Sequence, residues 1–256
     1  MMKDDELLNI VVPMAGAGSR FSKLGFALPK PLISVHGVPM IKVVIDNIKP
    51  SLPHKFIFIC QKLHIDQYSI DKYLKKIEPS SLVVEVNGLT EGAACTVLLA
   101  KKYIDNLNPL MIANCDQFIN FEINKYLDNF FYFNLDGLIM TMKSDDPKWS
   151  FVATENSLVK EVAEKKVISD EATVGIYNFK RGADFVNSAE KMITEKNKVH
   201  NEYYVAPTYN YLISENKKIG YFNIGSAETG MFGLGIPEDL DFFLNHEISK
   251  QIKAGK

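Results

Sequence analysis

Two short segments carry the side chains best suited to chemistry: Ala15-Gly16-Ala17-Gly18-Ser19-Arg20 and Pro29-Lys30-Pro31-Leu32. An apolar run over residues 10–14 ends in Ala15, Gly16, Ala17 and Gly18. Small residues let backbone N–H groups close on phosphate oxygens, and fixed cations neutralise the charge. Arg20 and Lys30 supply those cations, and Pro29 and Pro31 restrict the backbone around the lysine. Arg20 and Arg181 are the only arginines of the chain, so an arginine inside the loop is a selective choice. This pattern suits a nucleoside triphosphate, with Arg20 and Lys30 stabilising the charge that develops on a departing pyrophosphate. The bland alternative is a pair of surface cations.

Other glycine-rich loops fit less well. The dinucleotide fingerprint needs a third glycine and an acid after the second strand. Here Phe21 holds the glycine position, and the second apolar run closes with Cys60-Gln61-Lys62. A Walker sequence is absent.

Asp116 follows the wholly apolar run at 110–113. A carboxylate at the end of such a strand is costly unless it meets water or a cation. Mg2+ held by one or two carboxylates plus nucleotide phosphates is the arrangement that fits. The alternative is a turn residue, or a cap for a helix starting before Phe121.

These residues need elements to hold them. Strand-length apolar runs at 10–14, 54–60, 82–86 and 110–113 alternate with helical patterns at 37–48, 63–77 and 92–103, Pro39 suiting the first turn of the first helix. That order predicts an α/β fold: a three-layer α/β/α, Rossmann-like mixed sheet with helices on both faces. Ligands of such sheets bind beyond the carboxyl ends of the strands, where the phosphate loop, Glu91-Gly92 and Asp116 all fall. The second half is less regular. Strands are expected over 137–142, 151–154, 158–163, 172–179 and 218–223, and a helix over 181–196. No Gly-, Ser- or Pro-rich linker divides the chain. The expectation is one domain over 1–256, with an acceptor-binding subregion at about 145–215.

The motifs together resemble the sugar-1-phosphate nucleotidyltransferase family. Ala15–Phe21, Pro29-Lys30-Pro31-Leu32 and Gly37-Val38-Pro39-Met40-Ile41 resemble its amino-terminal half. Thr90-Glu91-Gly92-Ala93-Ala94 resembles its base-contacting turn, Ala113-Asn114-Cys115-Asp116-Gln117 its metal-binding strand end, and Glu164-Lys165 its acceptor-phosphate site. Gly235-Ile236-Pro237-Glu238-Asp239-Leu240 resembles its closing segment. The segments stand in the family's order and span nearly the whole chain.

The resemblance implies the glycosyltransferase-A-like version of this fold and transfer of a nucleotide to a phosphorylated acceptor, with Mg2+ as cofactor at Asp116. It also implies nucleotide binding by Ala15, Gly16, Ala17, Gly18, Glu91 and Gly92. Lys165 would hold the acceptor phosphate and Glu164 the rest of the acceptor, with Gln117 beside it. Glu202, Tyr203, Tyr204 and Asn210 are further candidates for that pocket. Glu91 could accept a hydrogen bond from the exocyclic amine of cytosine, which favours CTP; equally, it could cap the helix that follows. One departure stands out: Gly233 occupies the place of the family's second metal aspartate, and Glu228, Glu238, Asp239 and Asp241 are the nearby carboxylates. The Gly-Ala-Ala-Cys-Thr and Asn-Cys-Asp-Gln segments resemble a branch that serves bacterial capsule phosphoramidate synthesis, in which CTP and L-glutamine phosphate are the substrates.

Composition bounds the alternatives. The 256 residues are 46% hydrophobic and 23% charged, ordinary for a globular chain. A net charge of −2 offers no broad basic field for nucleic acid. Three scattered cysteines give neither a disulfide frame nor a zinc site, which fits a cytoplasmic protein with no membrane insertion. The acidic residues 1–6 are unlike a signal peptide. Small-molecule substrates are the expected partners. A sugar 1-phosphate as acceptor remains the main alternative, and a glycosyltransferase and a non-catalytic nucleotide-binding module are further alternatives.

Overall fold

The computed structural model describes residues 7–252, so the acidic segment at 1–6 lies outside the described residues. The first half alternates as expected. β1 (Leu8–Met14) leads through α1 (Ser19–Lys23) to a small hairpin, β2 (Ser34–Val35) and β3 (Val38–Pro39). Then follow α2 (Met40–Ile48), β4 (His54–Gln61), α3 (Lys62–Tyr68), α4 (Ile70–Ile77) and β5 (Leu82–Val86). α5 (Ala93–Leu98), α6 (Lys101–Ile104), β6 (Leu110–Ala113), β7 (Gln117–Ile119) and α7 (Ile123–Tyr132) complete it. The second half adds β8 (Gly137–Lys143), β9 (Ser150–Glu155), β10 (Leu158–Glu164), β11 (Glu171–Phe179) and α8 (Gly182–Thr194). It closes with α9 (Tyr209–Ser214), β12 (Ile219–Ser226), β13 (Met231–Gly233) and α10 (Pro237–Asn245).

Nine strands form one mixed sheet. Its main path runs β10-β9-β11-β6-β1-β4-β5, with β8 on β11 and β12 on β8. β1 is central and parallel to both β4 and β6, with Val11 opposite Ile57 on one side and Ile112 on the other. A strand flanked by neighbours and covered on both faces must be apolar throughout. Accordingly Leu8, Ile10, Val12 and Met14 face one core with Ile41, Val44, Ile45 and Ile48 of α2 and Tyr126 and Phe130 of α7. Val11 and Ala15 face the other, with Val97 of α5 and Phe185, Val186, Ala189 and Met192 of α8. The two cores make the three layers that the alternating pattern predicts.

The antiparallel strand β11 joins the halves. Its carboxyl-terminal end lies on β6, from Ile176 opposite Ala113 to Phe179 opposite Leu110; β8 pairs with it at both ends, and β9 meets it at Ala172. A third, smaller core packs Phe21 of α1 with Val35, Phe118, Phe232, Leu240 and Phe243. It ties α1, the hairpin, the β7–β13 pair and α10 into one support beneath the loop after β1.

Three expectations need correction. Residues 37–39 do not open a helix. His36 (φ 49) and Gly37 (φ 83) form the two-residue turn of the β2–β3 hairpin, where a tight turn takes positive φ at both positions, and α2 starts only at Met40. The helix expected over 63–77 breaks at Ser69, which is left-handed (φ 50) and separates α3 from α4. The helix expected over 92–103 breaks after Leu98, where Leu99 and Ala100 take tighter bonds to Thr96 and Val97.

Candidate active site

The parallel strands end on one edge, and there a cavity of about 570 Å³ opens. Its wall includes Ala15, Gly16 and Ala17 from the loop after β1, Arg20 from α1, Gly92 before α5, and Asp116 after β6. Lys30 enters from a short 3-10 turn, Lys30–Leu32, which Pro29 precedes in extended conformation and Pro31 helps to fix. Gly18 is left-handed (φ 59) and starts α1, its carbonyl accepting from the Phe21 and Ser22 amides. It lies behind the loop rather than on this wall.

Lys30 and Asp116 meet across the cavity, Nζ to Oδ2 at 2.6 Å, with side chains 20% and 25% exposed. Burial works against the Lys30 ammonium, but the neighbouring Asp116 carboxylate outweighs it and holds the pKa above the usual lysine value. Lys30 is therefore charged throughout the neutral range. Asp116 does not cap a helix: α7 begins only at Ile123, with Glu122 at its cap position. Arg20 is exposed on the cavity wall and forms no ion pair with a described residue. Cys115 also lines this cavity, and burial pushes its thiol up to about 11, away from nucleophile chemistry.

Gly92 sits at φ 121, and a Cβ there would lie 2.5 Å from the Tyr203 carbonyl oxygen. This close approach brings the 202–206 segment against the start of α5: the Tyr203 amide donates to the Glu91 carbonyl (2.8 Å) and the Ala94 amide to the Tyr203 carbonyl (3.0 Å). Glu202 and Tyr204 thereby reach the 570 Å³ cavity.

A second cavity of about 210 Å³ adjoins the first, with Ala93, Asn114 and Tyr204 lining both. Glu164 and Lys165 line the second alone. Register brings Glu164 of β10 opposite Ser150 of β9, whose hydroxyl donates to the Glu164 carboxylate. Burial raises the Glu164 pKa, partly offset by that hydrogen bond and by Lys165. Lys165 is left-handed (φ 52); its Nζ donates to Tyr204 Oη at 2.6 Å and lies 4.8 Å from the centre of that ring. Trp149 and Tyr177 supply further walls.

The sequence that builds this site can be compared with known proteins. A family described as nucleotidyl transferase matches residues 10–225. The chain belongs to this family. A curated relative, 2-aminoethylphosphonate cytidylyltransferase from Lancefieldella rimae, is 31% identical over 100 residues, covering 34% of this chain and 41% of that relative. A nucleoside-diphosphate-sugar pyrophosphorylase from Vibrio cholerae RC9 superposes with a TM-score of 0.78 at 26% identity, over 93% of this chain and 100% of its own. The inositol-1-phosphate CTP transferase of T. maritima gives a TM-score of 0.71 at 15% identity over 96% and 94% of the two chains, a likeness of fold.

Within this nucleotidyl transferase fold, some expected residues stand apart from the cavities. The Glu91 carboxylate pairs with Lys198 at 2.7 Å and is not on the wall of the 570 Å³ cavity, where Thr90 stands instead; α5 has Gly92 at its cap position and no side-chain cap. Gln117 is buried, its Nε2 without a partner, and its Oε1 lies 2.7 Å from where a Cβ of Gly175 would be. It sits behind Asn114 and Gly175 and lines neither cavity. Asn210 is structural, exchanging hydrogen bonds with the Val162 backbone at 2.9 and 2.8 Å. Ser150, Trp149 and Tyr177 escaped the sequence reading. The signal that places Ser150, its pairing with Glu164, depends on a register no motif encodes.

Mg2+ can be tested against the residues present. Among the described residues no three His, Cys, Asp or Glu side chains gather as a metal cluster. A single strand-end carboxylate suits an ion that takes its remaining oxygens from phosphates and water. Gly235 keeps room for it: a Cβ there would come within 2.6 Å of Asp116 Oδ2. Beside it, Asp239 is the carboxylate that covers Gly233, at 2.7 Å from where its Cβ would stand.

Proposed function

We propose that this chain is a Mg2+-dependent cytidylyltransferase that transfers CMP from CTP to a small phosphorylated acceptor, and we take L-glutamine phosphate as the first acceptor to test, with CDP-L-glutamine and pyrophosphate as products. The observation that carries the reading is the Lys30–Asp116 pair on the wall of the larger cavity, with Lys165 in the adjoining one. CTP is favoured by the name of the Lancefieldella rimae relative and no longer by Glu91, whose carboxylate is engaged with Lys198.

In this reading Ala15, Gly16 and Ala17 bind the triphosphate through their backbone, with Gly18 shaping the turn behind them. Asp116 would hold Mg2+, which supplies charge neutralisation at the phosphates. An oxygen of the acceptor phosphate attacks the α-phosphorus. A new P–O bond forms there as the bond to the bridging oxygen of the β-phosphate breaks, and its electron pair leaves with pyrophosphate. A terminal phosphoryl group carries at least one ionised oxygen at neutral pH, and a phosphate monoester such as a sugar 1-phosphate ionises again at about 6, so the attacking oxygen needs no general base. Lys165 orients the acceptor anion, while Lys30 and Arg20 offset the repulsion between the anions and stabilise the leaving group. The Cys115 thiol takes no part.

A second reading keeps the mechanism and replaces the acceptor with a sugar 1-phosphate; the full-length likeness to the Vibrio cholerae pyrophosphorylase favours it. The deciding measurement is pyrophosphate release with Mg2+ across CTP, UTP, dTTP, ATP and GTP, each with L-glutamine phosphate and with a panel of sugar 1-phosphates. Release with CTP and L-glutamine phosphate supports the first reading. Release with a sugar 1-phosphate selects the second. Nucleotide binding without release from any pair would transfer the weight to a glycosyltransferase or a binding module.

A further inference from the structure

The smaller cavity carries an uncommon charge arrangement. Glu164 is more than nine-tenths buried, and among the described residues no lysine, arginine or histidine nitrogen comes within 4 Å of its carboxylate. Its protein partner is the Ser150 hydroxyl. Its sequence neighbour Lys165 turns away to Tyr204, which lines both cavities and so marks the side facing the nucleotide. Lys148, the other cation on the wall, is tied to Asp146 at 3.1 Å. A buried carboxylate whose nearest cation, Lys165, stays beyond ion-pair distance is only partly compensated, and a ligand cation in direct contact would relieve the remaining cost.

The remaining polar groups of the wall are largely engaged with each other. Ser150 is spent on Glu164, and Thr173 Oγ1 and Tyr177 Oη share a 2.9 Å hydrogen bond. Asn114 alone among them keeps an uncommitted side-chain amide on this wall, so a ligand bearing many hydroxyls would find few open partners besides it. A ligand bearing an anion at one end and a cation at the other meets a cation at Lys165 and a carboxylate at Glu164. The rings of Trp149, Tyr177 and Tyr204 suit the cation further, since aromatic faces attract it.

We infer that the acceptor is a small zwitterion whose phosphate or phosphonate faces Lys165 and whose ammonium sits against Glu164 inside the ring of Trp149, Tyr177 and Tyr204. The inference rests on the nucleotidyl-transfer reading and makes Glu164 the residue that selects amine-bearing acceptors over sugar phosphates. The ammonium is bound and keeps all its bonds; the only bonds exchanged are those at the α-phosphorus.

The test uses 2-aminoethylphosphonate, its isostere without the ammonium, propylphosphonate, and glucose 1-phosphate, with CTP and Mg2+, on the wild-type chain and on Glu164→Gln. Pyrophosphate release and calorimetric binding of each acceptor to the CTP-loaded protein are both measured. The amine is expected to be preferred over its isostere at least about tenfold, and Glu164→Gln to erase that preference while CTP affinity holds. Equal use of propylphosphonate, better use of glucose 1-phosphate, or a preference that survives in Glu164→Gln would overturn the amine site and leave nucleotidyl transfer standing. Preferential binding of the amine, lost in Glu164→Gln, with no pyrophosphate from any acceptor would keep the amine site and overturn the transfer reading. No binding of the amine would overturn the amine site outright.

Discussion

Lys30 and Asp116 hold each other in place before any nucleotide arrives, and that pairing has a cost and a use. Each half-buried charge would be expensive alone, and together they satisfy one another. In the proposed reaction each partner would exchange its neighbour for a stronger one, the lysine for phosphate and the carboxylate for Mg2+. Lys30→Ala therefore removes a cation from the transition state and leaves Asp116 without its partner. We expect turnover to fall by at least about 100-fold, the order seen when one charge-stabilising donor is lost. The thermal midpoint should move little, because the pair faces a cavity rather than a core. Near-normal turnover would remove Lys30 from the phosphate clamp. This residue was legible in the sequence because two prolines fix its backbone. The pairing of Glu91 with Lys198 is not legible in the sequence, because a side chain's direction depends on a partner far along the chain that no local pattern reveals.

At the scale of elements, the strands read well and the helix ends read poorly. β6 has the bounds that its apolar run implies, since a buried parallel strand is marked by its own composition; β5, a half-exposed edge strand with Glu85 turned to solvent, also keeps its expected bounds. The breaks at Ser69 and Leu98 were invisible because periodicity continues through them, and the change of direction is made by a single residue or a tightened turn. β7 and β13 are three residues each, too short for any period, yet their pairing sets Gly233 beside Gln117 and fixes the segment that carries Asp116. The turn between β5 and α5 has a sharper requirement. Gly92 combines a positive φ with a Tyr203 backbone closer than any Cβ allows. Gly92→Ala should destabilise the fold by about 1–3 kcal/mol and separate the 202–206 segment from α5. Denaturant unfolding and CTP calorimetry measure the two effects, and an alanine variant with full stability and unchanged affinity would show that the close approach is dispensable.

At the scale of the whole molecule, β11 decides how the two halves cooperate. The larger cavity, proposed for the nucleotide, lies at the ends of the parallel strands β1, β4, β5 and β6, and the smaller one, proposed for the acceptor, lies against β9, β10 and β11. A separate acceptor unit would need its own core, but β11 pairs directly with β6, and the core on the α8 face mixes Val152, Val159 and Val162 with Val11, Ile57 and Ile112. We therefore propose that the chain folds as one unit, with residues 145–215 a subregion of it. The only tryptophan of the chain, Trp149, stands on the wall of the acceptor cavity and reports on that side alone. Far-UV circular dichroism reports on all the strands and helices together. In a single cooperative transition both probes give one midpoint and one slope against denaturant. If the acceptor side were a separate unit, the fluorescence transition would come at a different denaturant concentration with a shallower slope, because less surface would be exposed in it. Coincident curves are the expected result. Added CTP should then raise both midpoints together, since a ligand that binds only the native state stabilises everything that unfolds with its site. A shift confined to the circular dichroism curve would show that the cavity shared through Asn114 and Tyr204 does not couple the two sides.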